Sequence, residues 1–461
     1  MSKLVETIVL AGASLSSFAY IGGEILFVLV VVSGIYSWLA MPLTVVLAAL
    51  LLLLALTCYQ AILAYPGGGG AYIIARDNGG ELTAQVAGAA LVVDCILTIA
   101  VSLAFATDQM TSAFPALVAY KVPISLCLIL LITCVNLRGA KESNTIFVIA
   151  TYCFVVLIFG LISVGFWQAW AGTLGVLTDR PLSAPSLFPY TGFVFVFLLL
   201  RMLNSGTWAI NRAWTKNAAG KWLWDAALLL SLFLGISLLS GWIHVQPTET
   251  GALISQVART VYGDGLLWLL TLAAMTVVLL MAANHSLTDF SRLAALQAGD
   301  GCLPNRFAAR WERPILHLGL LTLAVLASLL IIFFQGRVHR LIPLYTLTVF
   351  FCFTFVQLGM AKRWHRIGAL MQTGSLTSAN EISTLGSCLS YDRFWHTKRL
   401  LNGVGGCISG LITLYLLLTN FIIGAWLIIL LIIILSWSLM RMQHHHKAVA
   451  HLLRTAAERV I

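Results

Sequence analysis

"LAGASLSSFAYIGGEIL" (residues 10–26) lies inside the first long apolar run of this 461-residue chain. It carries Gly12, Ser14, Ser16, Ser17, Tyr20, Gly22, Gly23 and Glu24 in seventeen positions. A helix facing only lipid has no use for such a set, whereas a helix that packs closely, or that unwinds around a solute, does. Around this stretch the chain is 60% hydrophobic and only 10% charged, with a mean hydropathy of +0.95, so lipid is the solvent for most of it. Windows of about 20 residues divide the sequence into twelve candidate spans. They are 7–29, 41–63, 86–107, 122–137, 144–168, 190–211, 222–243, 265–283, 315–334, 342–361, 402–420 and 422–440. These runs are too long and too apolar for the strands of an outer-membrane barrel. The fold class is therefore an all-α polytopic membrane protein with twelve transmembrane helices.

The formal net charge is +10, but its distribution points away from nucleic acid. With a cytoplasmic N-terminus, 21 Lys and Arg fall on the inner side, while Lys121, Arg180, Arg259, Arg337 and Arg340 fall outside and Arg201 sits within a span. That asymmetry is the positive-inside pattern and places both termini in the cytoplasm. No cleavable signal is expected ahead of the first span. The nine cysteines are mostly within spans, which favours small buried hydrophobes over a disulfide framework. His444, His445 and His446 have no further metal-ligating group in sequence reach and read as part of a solvated tail. No Walker motif, HExxH or nucleophile–base grouping is present, so neither an enzyme nor a cofactor is expected.

Five spans are an odd number, so spans 1–5 and 6–10 enter the membrane in opposite directions, as an inverted repeat requires. The corresponding organisation is a transporter core over 1–361, with repeats at about 1–170 and 185–361. A cytoplasmic loop at 362–400, two further helices at 401–441 and a cytoplasmic tail at 442–461 follow. Shorter cytoplasmic loops are expected at 64–85 and 284–314. If spans 1 and 6 are symmetry mates, both should be broken at mid-membrane. Span 6 meets this with "RMLNSGTWAIN", which holds Asn204, Ser205, Gly206, Thr207 and Asn211. Close packing through small residues is the competing reading. "YPGGGGAYIIARDNGG" (65–80) lacks the Gly-Lys-Ser/Thr of a phosphate loop and reads as a flexible turn.

Asp94, in "LVVDCILTIAVS", is the strongest single signal. A carboxylate near mid-membrane is costly unless paired, protonated or wet, so function is its default reading. Thr98 lies one turn further along the same face. An ion pair with Arg201 is the structural alternative. Tyr20 and Tyr345 are amphipathic aromatics that suit either a binding pocket or a membrane interface. Glu24 and Asp225, near span ends, can reach water.

Several stretches together resemble the amino acid-polyamine-cation (APC) superfamily, and within it the KimA-type potassium importers. They are "SLSSFAYIGGEIL", "YPGGGGAYIIARDNGG", "LVVDCILTIAVS", "NLRGAKESNTIFVIATYCFV", "AANHSLTDFSRLAALQAGDGCLPNRFAARWERP" and "GRVHRLIPLYTLTVFFCFTFVQLGM". The resemblance implies a LeuT-type fold with a 5+5 inverted repeat plus two C-terminal helices. It also implies a solute held between broken helices 1 and 6, and, in many members, proton coupling. The family's potassium site finds matches at Tyr20, Asp94, Thr98 and Tyr345. Two departures stand beside these. Ala13 occupies the place of a span 1 aspartate, and the span 6 run Thr-Gly-Val-Glu has no counterpart. The expected large cytoplasmic regulatory domain also has none.

The leading expectation is a secondary active transporter working by alternating access, by resemblance a proton-coupled potassium importer of a bacterial cytoplasmic membrane. Its binding residues would be Gly12, Ser14, Ser16, Ser17, Tyr20, Asp94, Thr98, Asn204, Ser205, Thr207 and Tyr345, with Asp94 as the coupling group. An amino acid permease, with Gly12-Ala13-Ser14 near the substrate carboxylate, stays open. So does a transport-inactive, transporter-like sensor. The expected partners are a potassium ion or an amino acid, protons and the bilayer, with a homodimer left as an option.

Overall fold

The computed structural model describes residues 56–175 and 253–458, apart from breaks at 58, 66–68, 139–143, 305–312, 378–380 and 385–386, together with scattered positions between 227 and 243. Predicted spans 1 and 6 lie outside the described residues, as do most of span 2 and half of span 7. With them go Gly12, Ser14, Ser16, Ser17, Tyr20, Arg201, Asn204, Ser205 and Thr207. Among the described residues, seven helices are long and apolar enough to cross a membrane, and Leu318–Phe333 is a shorter apolar one. These eight coincide with predicted spans 3, 4, 5, 8, 9, 10, 11 and 12.

The glycine-rich stretch is not a flexible turn. Helix α1 (Gly70–Gly79) forms within it and buries seven of its ten residues. Gly69 and Gly80 bracket it with φ of 101° and 90°, a conformation that favours glycine and lets the chain reverse at both ends. At Gly69 a Cβ would come within 2.2 Å of the Ile73 side chain, so the position has no room for one.

Helix α2 (Glu81–Ala113) follows at once and occupies the centre of the molecule, packed against α1 and five later helices. Glu81 in its first turn faces the positive end of the helix dipole. Phe114 leaves helical geometry before a short 3-10 turn that opens with Pro115. Helices α3 (Lys121–Leu137) and α4 (Asn144–Trp170) come next, and a short amphipathic α5 (Leu253–Tyr262) precedes α6 (Leu266–Gly299). The sequence places a loop from residue 284, yet α6 continues sixteen residues beyond its apolar run. Ser286, Thr288 and Ser291 donate to carbonyls three or four residues back, which lets polar sequence stay helical.

Helix α7 (Arg313–Phe333) leads into α8 (Val338–Gln372), which outruns its predicted limit at 361 by eleven residues. A two-residue antiparallel hairpin, Ile382–Ser383 (β1) against Cys388–Leu389 (β2), structures part of the polar loop. Helix α9 (Trp395–Thr419) packs along α8. Gly424, at φ 138°, turns the chain into α10 (Trp426–Glu458), which runs unbroken past residue 441. Its His446 ring nitrogen lies 2.7 Å from the Gly301 carbonyl, so this part of the tail is docked.

Polar pairs lock the bundle where apolar contact alone is non-directional. Thr107 meets Ser125 at 2.8 Å between α2 and α3, and Asn402 on α9 donates to Gln60 at 2.7 Å. Of the cysteines, Cys95, Cys302 and Cys352 are buried, while Cys127, Cys134, Cys153 and Cys407 lie on outward-facing helix surfaces.

Candidate functional site

Helices α2 and α8 run antiparallel. Gly359 of α8 packs against Ile74, just before α2 begins, while a Cβ at Gly336, just before α8, would sit 3.7 Å from the Lys121 side chain beyond the end of α2. Asp94 stands 14 residues into α2 and is only 5% exposed. Thr98 and Ser102 follow it at intervals of four, on one face and fully buried. Opposite, the Cys352 thiol of α8 lies within electrostatic range of Asp94. Tyr345 is seven residues from Cys352, on the same face of α8 and about 10 Å along it.

Of the sequence-predicted site residues, Asp94 and Thr98 are buried on α2 and Tyr345 is buried on α8, which packs against it. Tyr345 is 1% exposed, which excludes the membrane-interface reading for its ring. Pro343 sits in the second turn of α8, where its missing N–H removes one ladder bond and the helix continues.

The chemistry of this wall follows from where its protons go. Thr98 donates its hydroxyl to the Asp94 carbonyl at 2.7 Å, and Ser102 donates to the Thr98 carbonyl. Thr346 and Thr348 do the same on α8, at 2.8 and 3.1 Å. A hydroxyl whose proton is spent on its own helix offers only lone pairs to a ligand. A carboxylate with such oxygens beside it suits a hard cation. Ser102 was missed by sequence reasoning, although its eight-residue spacing from Asp94 was visible.

The end of the molecule near residues 60–80 carries two polar knots that were also missed. In the first, Asp300 receives Arg76 through both oxygens and the Tyr72 hydroxyl at 2.7 Å, which joins α1 to the end of α6. Burial raises the Tyr72 phenol well above its usual range, and the bond to Asp300 adds to this. The Cys302 thiol alongside is also raised, chiefly by burial. In the second, Tyr65 donates to Asp77 at 2.7 Å and accepts from Asn78 at 2.7 Å. Arg363 and Arg366 of α8 approach the same carboxylate at 3.9 and 3.5 Å. Burial, opposed by the Arg363 charge and assisted by the bond to Asp77, pushes Tyr65 up to about 12. Charged residues inside an otherwise apolar glycine-rich run were the available signal, but not the identity of partners over 200 residues away.

A buried carboxylate in the seam of a many-helix membrane protein is the architecture of solute carriers, and comparison with known proteins agrees. The family model for amino acid permeases matches residues 4–369. The chain belongs to that family. This permease is 33% identical to the potassium transporter KimA of Bacillus subtilis (strain 168), over 98% of the present chain and 72% of the relative. Its fold is similar to that of a variant of the manganese transporter of Eremococcus coleocola, with a TM-score of 0.52 and 13% identity. That likeness covers 95% of this chain and 96% of the other. The permease is thus an integral membrane protein and an APC-type secondary transporter of a small solute, not an enzyme.

Proposed function

We propose that this permease carries potassium ions into the cell by alternating access, driven by protons that use Asp94. The observation that carries the reading is the Asp94 carboxylate, buried on the central helix among hydroxyls left as acceptors. The similarity to a potassium transporter along nearly the whole chain supports the same cargo. In this reading Asp94, Thr98 and Tyr345 form one wall of the path. Gly12, Ser14, Ser16, Ser17, Tyr20, Asn204, Ser205 and Thr207 line the broken helices opposite. The twelve-helix, 5+5 architecture, cytoplasmic termini and a bacterial cytoplasmic membrane belong to the same proposal.

Proteoliposomes offered rubidium as a potassium substitute, with and without an inward proton gradient, provide the test. Gradient-dependent rubidium accumulation that Asp94→Asn abolishes is the expected outcome. An amino acid cargo is the second reading, favoured by the family match and by Gly12-Ala13-Ser14. Radiolabelled amino acid uptake that persists without potassium would replace the first reading with it. Failure of every solute in a broad panel would favour the transport-inactive sensor.

A further inference from the structure

The transport reading leaves unused a cavity of about 820 Å³ between the ends of α8 and α9. Its floor is apolar, formed by Leu56, Leu63, Ile367 and Leu401. Leu56 and Leu63 are seven residues apart, so they share one helix face, and each is 41% exposed. The opposite wall is polar, with Arg363, Lys398, the Asp392 carboxylate that pairs with Lys398, and the hydroxyls of Ser383, Thr384 and Ser387. Trp364 lines this end, and Lys362, Trp395 and Arg399 lie within three residues of lining positions in sequence, the mixture of basic and aromatic residues that marks a membrane–water boundary.

The wall has donors in excess. Arg363 is 3% exposed and gives its terminal nitrogens to Ser387 and, at 2.7 Å, to the Cys388 carbonyl. Its Nε, and the indole N–H of the 7% exposed Trp364, find no acceptor among the described residues. Lys398 donates to Asp392 at 2.6 Å and lies 4.8 Å over the Trp364 ring, which leaves two ammonium protons for another acceptor. Among the described residues, the ion pairs of Arg363, Arg366 and Lys398 are made to Asp77 and Asp392, three cations to two carboxylates. An occupant must be anionic at one end and apolar at the other.

We propose that this cavity is a binding site for an anionic phospholipid, with its phosphate at Lys398 and the hydroxyl wall and an acyl chain along Leu63 and Leu56. Basic pockets between helices at a membrane surface are suited to such headgroups. The apolar floor distinguishes the lipid from free phosphate, which would gain nothing from it.

Native mass spectrometry of the full chain in neutral detergent tests this, titrated separately with phosphatidylglycerol, phosphatidylcholine and inorganic phosphate. Phosphatidylglycerol should be retained and phosphatidylcholine lost at equal activation energy. Lys398→Gln should weaken phosphatidylglycerol binding about fivefold, and Lys398→Arg should restore it. Leu63→Trp, which fills the floor without changing charge, should weaken it as well and keeps the test valid if Lys398→Gln fails to fold. Equal retention of the two lipids would overturn the proposal. So would unchanged binding in Leu63→Trp, or displacement of the lipid by millimolar inorganic phosphate.

Discussion

The most apolar stretches of α2 and of the segment containing α3 are nearly equal in mean hydropathy, 2.3 against 2.2, yet 94% of the first is buried in protein and only 22% of the second. In water such similar segments would compete for the same core. In lipid, hydropathy says only that a helix is in the membrane. What sends α2 to the centre is side-chain size: Ala84, Ala87, Gly88, Ala89, Ala90, Ala100, Ala104 and Ala106 let six helices approach it. Helix α3 instead presents Leu130 and Leu131, 65% and 59% exposed, to the acyl chains. The crowded helix also carries the polar groups, because only protein or a solute can satisfy them at that depth. Centrality and function therefore coincide on α2.

The most direct way to break this comparison is to neutralise Asp94. Removing a carboxylate from a desolvated cation site costs about 3 kcal/mol or more, so Asp94→Asn should lower rubidium uptake by about a hundredfold. Expression and size-exclusion profile should be retained. Uptake within threefold of wild type would remove Asp94 from the path and leave α2 a structural hub.

The next effect tests packing alone. A Cβ at Gly88 would sit 2.3 Å from the Gln297 amide and 3.0 Å from the Tyr72 ring, where α2 meets α6 and α1. Gly88→Leu should destabilise the protein by about 3 kcal/mol, read as a lower Tm in detergent. A smaller change than that of a leucine placed on the outer face of α3 would refute the crowding argument.

Arg76→Gln comes third. Among the described residues it leaves the Asp300 carboxylate with the Tyr72 hydroxyl, and the ion pair is about a fifth exposed, so the cost should be about 1–2 kcal/mol. A double-mutant cycle with Asp300→Asn should recover most of it, because the two side chains act through each other.

The Tyr65 phenol gives a pH signature of similar or smaller size. Its usual value of 10.0 is pushed up to about 12, so the folded state favours the protonated form. The stability it contributes is fully present below pH 10 and is lost as pH rises from 10 to about 12. Tyr65→Phe should flatten the fall in Tm across that window while costing about 1 kcal/mol at neutral pH. An unchanged alkaline profile would show that the knot around Asp77 does not depend on this proton.

Where helices form was legible because each apolar run is long enough to span, and eight predicted spans coincide with helices or their apolar parts. Where they stop was less so. Hydropathy ends at 283 and 361, but α6 and α8 continue, since hydrogen bonding along a helix does not end where lipid does. The glycine run misled in the same way: flexibility was inferred from composition, whereas Gly69 and Gly80 serve as rigid corners around a buried helix. Asp94 and Thr98 could be found because a carboxylate in an apolar run needs explanation by itself. The Arg76–Asp300 and Tyr65–Asp77 groupings could not, because each charge looked ordinary until the chain brought its partner alongside.

The smallest expected effect is the most discriminating one for the comparison. Leu130→Ala deletes a large apolar side chain, and at a protein-packed position such a change costs about 2–5 kcal/mol. On α3 the side chain leaves lipid rather than protein, and lipid refills the space, so Tm should move by no more than the equivalent of about 0.5 kcal/mol. The same substitution at Leu97, fully buried on α2, should show the full core penalty. If Leu130→Ala proved as costly as Leu97→Ala, another protein surface would have to cover α3, as a homodimer does. The exposure of Leu130 and Leu131 would then mark that interface instead of the lipid boundary.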